Sequence, residues 1–266
     1  MRWQAFAGLI GMAGGLLLPG HSVGQTDSKT QLPLATGGLI SSLVAAPVVG
    51  QSYSAVQVHG STQTLADGST VSHHGHHVVA RDAEGRVHVE MRLANGKNGA
   101  PDDVLVFVMD PVAHTLTTWM AGGSDHPKIA STLKIPATQQ AGTPRPESPR
   151  DTTRPQPIIT TQDLGTQSIE GLEATGVRTT TIVPVGRSGN SAPITKTHEV
   201  WTSPDLQLVI KQQWTDPRIG QRTVELKKIS RENPDPALFR PPAGYEVKRV
   251  SETLKELEEK LNASQD

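Results

Sequence analysis

The side chains best suited to binding chemistry are a cluster of imidazoles with one nearby carboxylate: His73, His74, His76, His77, His88 and Glu90. Neutral imidazole is a common ligand for zinc, copper and nickel ions. Side chains alternate between the two faces of a β-strand, so two of the four histidines in the 73–77 run face each way. A site of three or four ligands therefore needs help from a neighbouring strand.

The pairing register of one hairpin decides which histidines meet. Its arms are predicted at 71–81 and 86–93, joined by a turn at 82–85 that begins with Asp and ends with Gly. If Arg81 lies opposite Arg86, the apolar side chains collect on one face and a first set of ligands on the other. That first set is His73, His77, His88 and Glu90.

A second register is also open. If the turn closes at Asp82 and Arg86 instead, the shared face holds His74, His76, His88 and Glu90. Turn chemistry favours this second register, whereas burial of a purely apolar face favours the first. We expect burial to count for more, so the sequence predicts a weak zinc, copper or nickel site formed by the first set. No other cofactor is expected.

Signatures of catalysis are missing from the sequence. There is no cysteine, no His-Glu-x-x-His zinc motif and no phosphate-binding loop. The run Gly186–Asn190 differs from a nucleophile elbow because its second glycine comes one residue early. The carboxylates are scattered, so none forms an evident acid–base pair. We therefore expect a protein that is not an enzyme.

The elements that would carry these residues are mostly strands. Val104–Met109 is apolar at every position, which predicts a central strand buried on both faces. Alternating patterns predict further strands at 51–60, 115–120, 167–172, 174–183, 194–202, 206–214 and 221–229. The sequence thus predicts a mainly β (α+β) fold built on a curved antiparallel sheet or half-barrel with few helices.

The predicted domain organisation has five parts. Residues 1–24 are a signal peptide, 25–135 a β-rich part, 136–157 a proline-rich linker or loop, 158–250 an antiparallel meander, and 251–266 a C-terminal helix and tail. The helix is predicted from an apolar stripe of Val250, Leu254, Leu257 and Leu261. Residues 25–266 form one domain if the proline-rich segment is a loop, and two if it is a linker.

The N-terminus predicts export. Arg2 is followed by an apolar stretch from Ala5 to Leu18, and small residues precede a cleavage site that leaves Gln25 first. The apolar stretch is shorter than the roughly 20 residues of a spanning helix, so no transmembrane segment is expected after cleavage. The formal charge of −1 gives no basic patch for nucleic acid. A periplasmic or secreted location follows.

Several short motifs in the second half resemble a known family. They are Glu170–Gly176, Glu199–Leu206, Asn233–Phe239 and Pro241–Tyr245. In this order they resemble uncharacterised exported bacterial proteins whose ending is similar to the LolA-like lipoprotein-carrier fold. The resemblance spans roughly residues 165–247. It implies a half-open barrel of antiparallel strands, closed by helices over an apolar cavity.

Together these patterns favour a secreted binding or carrier module of the cell envelope. Its expected ligand is apolar, a lipid or a lipoprotein, and nucleic acid is not expected as a partner. Two alternatives remain open. One is a structural or interaction protein of the envelope, and the other is a weak metal-binding accessory protein that uses the histidine cluster.

Overall fold

The computed structural model describes residues 48–93, 103–122, 126–135 and 155–251. The chain divides into two units, Met1–Thr36 and Gly37–Asp266, and every described residue lies in the second. The described strands are β1 (Tyr53–Thr64), β2 (Thr70–Arg81), β3 (Val87–Leu93), β4 (Asp103–Asp110), β5 (Thr115–Ala121), β6 (Ile129–Lys134), β7 (Ile158–Ile169), β8 (Leu172–Val183), β9 (Ile194–Ser203), β10 (Leu208–Asp216), β11 (Gly220–Ser230) and β12 (Glu246–Arg249).

These strands form one sheet in the order β12-β6-β5-β4-β3-β2-β1-β11-β10-β9-β8-β7. It consists of two antiparallel meanders, which we call the first meander (β1–β6) and the second meander (β7–β11). They join where β1 pairs with β11, and β12 adds to β6 in parallel. The sheet is curved and does not close in the described residues. The prediction of a mainly β, antiparallel fold is confirmed.

One predicted strand is wrong. Residues 167–172 contain the turn between β7 and β8, where Glu170 and Gly171 have φ values of 51° and 77°. Ile169 pairs with Leu172 across this two-residue turn. Positive φ at both central positions is the geometry of the tight hairpin turn that matches strand twist. The strand therefore ends at Ile169, and it begins at Ile158, directly after the proline-rich segment.

Other predictions lie partly or wholly outside the described residues. The signal peptide, most of the proline-rich segment and the C-terminal helix beyond Ser251 are outside them. Helical conformation in the described part is assigned to Val250 and Ser251, at its C-terminal end, and to a 3₁₀ turn at Pro236–Phe239. The turn is begun by Asp235, whose side chain accepts a hydrogen bond from the backbone of Ala237 at 2.8 Å. No helix among the described residues is long and apolar enough to cross a membrane.

Strand β4 is buried on both faces, as its apolar sequence predicts. Leu105 and Met109 lie on one face, and Val106 and Val108 on the other. The first face belongs to a core that also contains side chains of the second meander, such as Trp201. The second face belongs to a smaller core centred on Trp119. The middle of the first meander is therefore a layer between two cores.

A short segment after β11 covers the smaller core. Phe239, from the 3₁₀ turn, is buried against it, and Tyr245 donates a hydrogen bond from its hydroxyl to the Met120 carbonyl at 2.7 Å. Arg86 lies over the Phe239 ring, 5.2 Å from its centroid. This cover explains why His88 of β3, on the same face, is shielded from solvent.

Candidate functional site

The turn between β2 and β3 fixes the register of the histidine hairpin. The Asp82 backbone N–H donates to the Arg86 carbonyl at 3.1 Å, and the Asp82 carboxylate accepts from the Arg86 backbone at 2.8 Å and pairs with its guanidinium at 2.6 Å. Gly85 takes a φ of 85° inside the turn. As a result Arg81 lies opposite Val87, and Ala80 opposite His88.

This is the second of the two registers, so the preference for Arg81 opposite Arg86 is wrong. The physical reason is that both faces of the hairpin are buried near the turn. Ala80 and His88 are 0% and 2% exposed beneath the segment that carries Phe239. Burial of an apolar face therefore did not discriminate between the registers, and the turn's hydrogen bonds decided.

The structure does not bring the first set of predicted ligands together. His73 and His77, on β2, lie on one face of the sheet, whereas His88 and Glu90, on β3, lie on the opposite face. His74 and His76 share the face of His88, but His76 is four residues along the strand from the position opposite His88. At about 3.3 Å per residue that separation is about 13 Å. Among the described residues, no three or more His, Cys, Asp or Glu side chains are placed to hold a metal.

His88 and Glu90 instead form a local pair. The His88 Nε2 and Glu90 Oε1 atoms are 3.0 Å apart, and the His88 ring meets the edge of Phe239 with 6.2 Å between centroids. These contacts hold the imidazole within the smaller core. We therefore assign the pair to the packing of β3 against the covering segment.

A different histidine lies next to His77. His59, from β1, contacts it with ring centroids 4.7 Å apart and ring planes tilted by 31°. His77 is 7% exposed, and burial lowers its pKa to about 4, with smaller contributions from His59 and His76. Burial also lowers the pKa of His59. In the described structure neither Nδ1 atom has a hydrogen-bond partner.

Gly75 makes this contact possible. It lies opposite His59 in the β1–β2 ladder, and a Cβ atom at this position would overlap the His59 ring. The glycine that interrupts the histidine run therefore provides the space for an imidazole from the neighbouring strand. Sequence reasoning missed His59 because it paired β2 only with β3. The glycine in the middle of the run was the available signal.

The same hairpin borders an open depression of about 450 Å³, lined by Val56, Val58, His74, Gly75, His76, Lys227 and Lys228. The two valines of β1 lie beside the imidazoles of β2, and the lysines come from β11. Val58 is 38% exposed, and Val78, opposite Val56, is 39% exposed. The depression therefore combines solvent-exposed apolar surface with basic side chains at its border.

The two lysines at the border differ in their partners. Lys227 Nζ lies 2.7 Å from the Glu225 carboxylate and 3.4 Å from that of Glu170, and these partners raise its pKa. Glu170 also accepts a hydrogen bond from the Lys228 backbone at 2.8 Å, while no acidic group of the described residues pairs with the Lys228 side chain. Lys228 is the more available cation.

Other charged groups that could suggest a reactive site serve the fold. Arg81 is 4% exposed and donates to the Gln51 and Leu206 carbonyls at 2.9 and 2.5 Å. Its guanidinium lies 5.0 Å from the Tyr53 ring, whose pKa is raised to about 12 by burial. In the Gly186–Asn190 loop, Asn190 donates to two carbonyls and accepts from the Ser188 backbone, which is a structural arrangement.

Solved structures that are similar to this chain share little sequence with it. An uncharacterized conserved protein from Thermus thermophilus is 12% identical, with 80% of this chain and 99% of that one covered and a TM-score of 0.37. A LolA superfamily protein from Nitrosomonas europaea is 10% identical over 77% of this chain and 96% of that one, with a TM-score of 0.26. A DUF1329 family protein from Desulfovibrio piger is 10% identical, covering 78% and 97%, with a TM-score of 0.20.

No protein-family model and no curated protein matches the chain. The structural neighbour from Nitrosomonas europaea belongs to the LolA superfamily, and the sequence motifs of this chain resemble the same fold.

Proposed function

We propose that this protein is an exported, non-enzymatic binding or carrier module for an apolar ligand of the lipid or lipoprotein class. The observation that carries the proposal is the open depression above Val56 and Val58. Its volume of about 450 Å³ falls within the roughly 300–1,000 Å³ of small-molecule sites. The exposed Val58 and the half-buried Val56 at its floor lose contact with water when an apolar chain covers them, which favours binding.

The border of the depression supports a ligand with one polar end. Lys228 and the exposed imidazoles of His74 and His76 stand beside the apolar floor. A small number of polar groups around an apolar surface orients a ligand. An acyl chain would lie on the valines, and its polar end would face the basic border.

The non-enzymatic part of the proposal is supported by the use made of charged groups. Asp216 is held by Arg218 and Lys196, and these contacts lower its pKa. Arg81 is held by backbone carbonyls. In the described residues each of these groups has a structural partner, and none is presented to the depression.

The depression can be tested with a paired substitution. Val58→Asp places a carboxylate in the apolar floor, and Val177→Asp changes a valine of similar exposure on β8, 41% against 38%. Binding of a fluorescent polyene fatty acid should weaken at least tenfold in the first variant and stay unchanged in the second. Thermal unfolding of both variants checks that the sheet is intact.

Native mass spectrometry of the protein purified from its own envelope complements the titration. Retention of a lipid by the wild type and its loss in Val58→Asp would support the proposal. Equal fatty-acid binding in wild type and Val58→Asp, or no binding by the wild type, would reject the depression as the site.

Export is tested separately. The mature protein should begin at Gln25, because cleavage is expected after Gly24. The intact mass of protein recovered from the periplasm or medium measures this directly. Recovery of the chain only in the cytoplasm, still beginning at Met1, would contradict export and leave the binding proposal standing.

A second candidate function, an interaction protein of the envelope, is favoured by strand β7. This twelve-residue edge strand pairs only with β8 in the described sheet, and Ile158 and Ile159 are 57% and 65% exposed. An edge strand presents backbone groups that can pair with a strand of another protein. A photo-crosslinker placed at Ile159 should capture a partner in the envelope if this function is correct, and nothing above background if it is not.

A further inference from the structure

We propose that His59, His77 and Met91 form a binding site for a copper(I) ion on the face of the sheet opposite the depression. The three side chains come from neighbouring strands β1, β2 and β3. This inference is independent of the proposed function, because it concerns the other face of the same strands and a different class of ligand.

The two imidazoles are already in contact. Their ring centroids are 4.7 Å apart, and in the described structure both Nδ1 atoms are buried without a hydrogen-bond partner. Buried polar atoms are almost always hydrogen-bonded, so two adjacent exceptions require an explanation. Two nitrogens that bind one ion at about 2.0 Å lie at most about 4 Å apart, a spacing that ring centroids at this separation allow.

Met91 is the third ligand because of the strand register. It lies directly opposite His77 in the β2–β3 ladder and is 4% exposed. Residues opposite each other in antiparallel strands have Cβ atoms about 4.5–5.5 Å apart and point to the same face. A thioether on a flexible side chain is therefore within reach of an ion held by the two imidazoles.

The ligand set indicates which metal is bound. Thioether sulfur is a soft ligand that selects copper(I), and imidazole also suits copper. Zinc normally takes four ligands, and no third His, Cys, Asp or Glu in the described part of the chain is close enough to help. Two neutral imidazoles and a thioether carry no charge, which suits a monovalent ion in a buried place better than a divalent one.

The site differs from the histidine cluster predicted from the sequence. His73, His74 and His76 are exposed on β2 and belong to the solvated end of the hairpin. His59 is only partly buried, so an ion can enter from its side. The strand that completes the pair with His77 is β1, because Gly75 admits the His59 ring.

The test is an anaerobic titration of the metal-free mature protein with copper(I) in competition with a chromophoric chelator. We expect one copper(I) ion per chain. Met91→Leu conserves volume and should weaken binding at least tenfold, whereas Met109→Leu, another buried methionine on the same face of the sheet, should have no effect. His59→Ala should weaken binding more than Met91→Leu, because it removes a nitrogen ligand.

Further measurements separate this site from the exposed histidines. His74→Ala should leave copper(I) affinity unchanged, and X-ray absorption of the copper-loaded wild type should show one sulfur neighbour that disappears in Met91→Leu. His77→Ala should also weaken binding, because it removes a nitrogen ligand. If that variant does not fold, His59→Ala and the absorption spectrum still decide. Unchanged affinity in Met91→Leu together with no sulfur neighbour, or equal losses in His59→Ala and His74→Ala, would overturn the site.

Discussion

The two meanders of the sheet are stabilised in different ways. The first is buried on both faces near β4, with Val106 and Trp119 in one core and Leu105 in the other. The second exposes most of β7 and carries ion pairs across its strands, such as Arg178 with Glu199. The first meander thus contributes side chains to both cores, while the second contributes to the larger core alone and carries many polar contacts close to water. Equivalent substitutions should have unequal effects in the two meanders.

The largest difference is expected between two tryptophans. Trp119 of the first meander is 4% exposed at the centre of the smaller core. Trp119→Ala should lower the free energy of unfolding by about 3–5 kcal/mol, the range for removal of a buried tryptophan. Chemical denaturation monitored by circular dichroism measures the change.

Trp214 of the second meander is the matched control. It is only partly buried and stacks on His198, with ring centroids 4.8 Å apart. Trp214→Ala should cost about 1 kcal/mol, in line with the loss of one aromatic pair. Equal losses for both tryptophans would mean that the contrast between the meanders is wrong.

The second largest effect is a dependence on pH that originates in the first meander. The pKa of His77 is about 4 in the fold and 6.5 ordinarily. Between these values the unfolded chain binds a proton that the folded chain does not, so stability falls as pH drops from about 6.5 towards 4, by up to about 3 kcal/mol. His59 faces His77 directly and adds to the effect.

Urea denaturation of the metal-free protein at pH 7, 6, 5 and 4.5 measures this slope. In His77→Gln the free energy of unfolding should change less with pH. Asp216→Asn, in the second meander, should leave the pH dependence unchanged, because Arg218 lowers the pKa of that carboxyl below its ordinary 3.8. The stability contributed by Asp216 is present above that value and is lost only in stronger acid. If the stability of His77→Gln falls with pH as steeply as that of the wild type, other titrating groups cause the pH dependence.

A smaller contrast concerns two glycines in turns. Gly85 of the first meander has a φ of 85°, and a Cβ there would lie 2.9 Å from the Val48 carbonyl oxygen. Gly189 of the second has a φ of 75°, with nothing within 4 Å of a Cβ. Gly85→Ala should cost about 2 kcal/mol or more and Gly189→Ala about 1 kcal/mol, because only the first adds a clash to the backbone strain. Thermal unfolding of the two variants compares them.

The smallest effect is expected for an ion pair of the second meander. The Arg178 and Glu199 side chains are 38% and 20% exposed, and water screens their attraction. Arg178→Ala should change stability by less than about 1 kcal/mol, and the difference should shrink in roughly 1 M salt. A larger, salt-independent loss would show that the second meander relies on this contact more than its exposure indicates.

Local patterns predicted much of this fold. The hairpin of β2 and β3, the doubly buried β4 and the strands from β8 to β11 follow from alternation and turn residues, which act over short distances along the chain. The short strands β6 and β12 were missed. β12 pairs in parallel with β6, a strand far away in the sequence, and no local pattern encodes such a partner.

The candidate sites show the same difference between local patterns, which the sequence reveals, and contacts between strands, which it does not. Sequence reasoning found the histidines of β2 but matched them to β3 in the wrong register, since it had no means to see that Phe239 covers His88. His59 and the lysines of β11 became neighbours of β2 only through the pairing of β1 with β2 and β11. Both the depression and the imidazole pair thus depend on contacts between strands that the sequence did not show to be neighbours.

The pairing of β1 with β11 also has a consequence for how the chain folds. Tyr53–Thr64 can form its hairpin with β2 early, but its other edge stays open until Gly220–Ser230 has been synthesised. The chain loses the entropy of closing this long loop before it gains the contacts between the two strands. Pairing between strands far apart in the sequence, which is high contact order, therefore makes folding slow. An open strand edge during that interval is a template for aggregation. Formation of the β1–β11 pairing, which joins the two meanders, is therefore the step at which folding and misfolding compete.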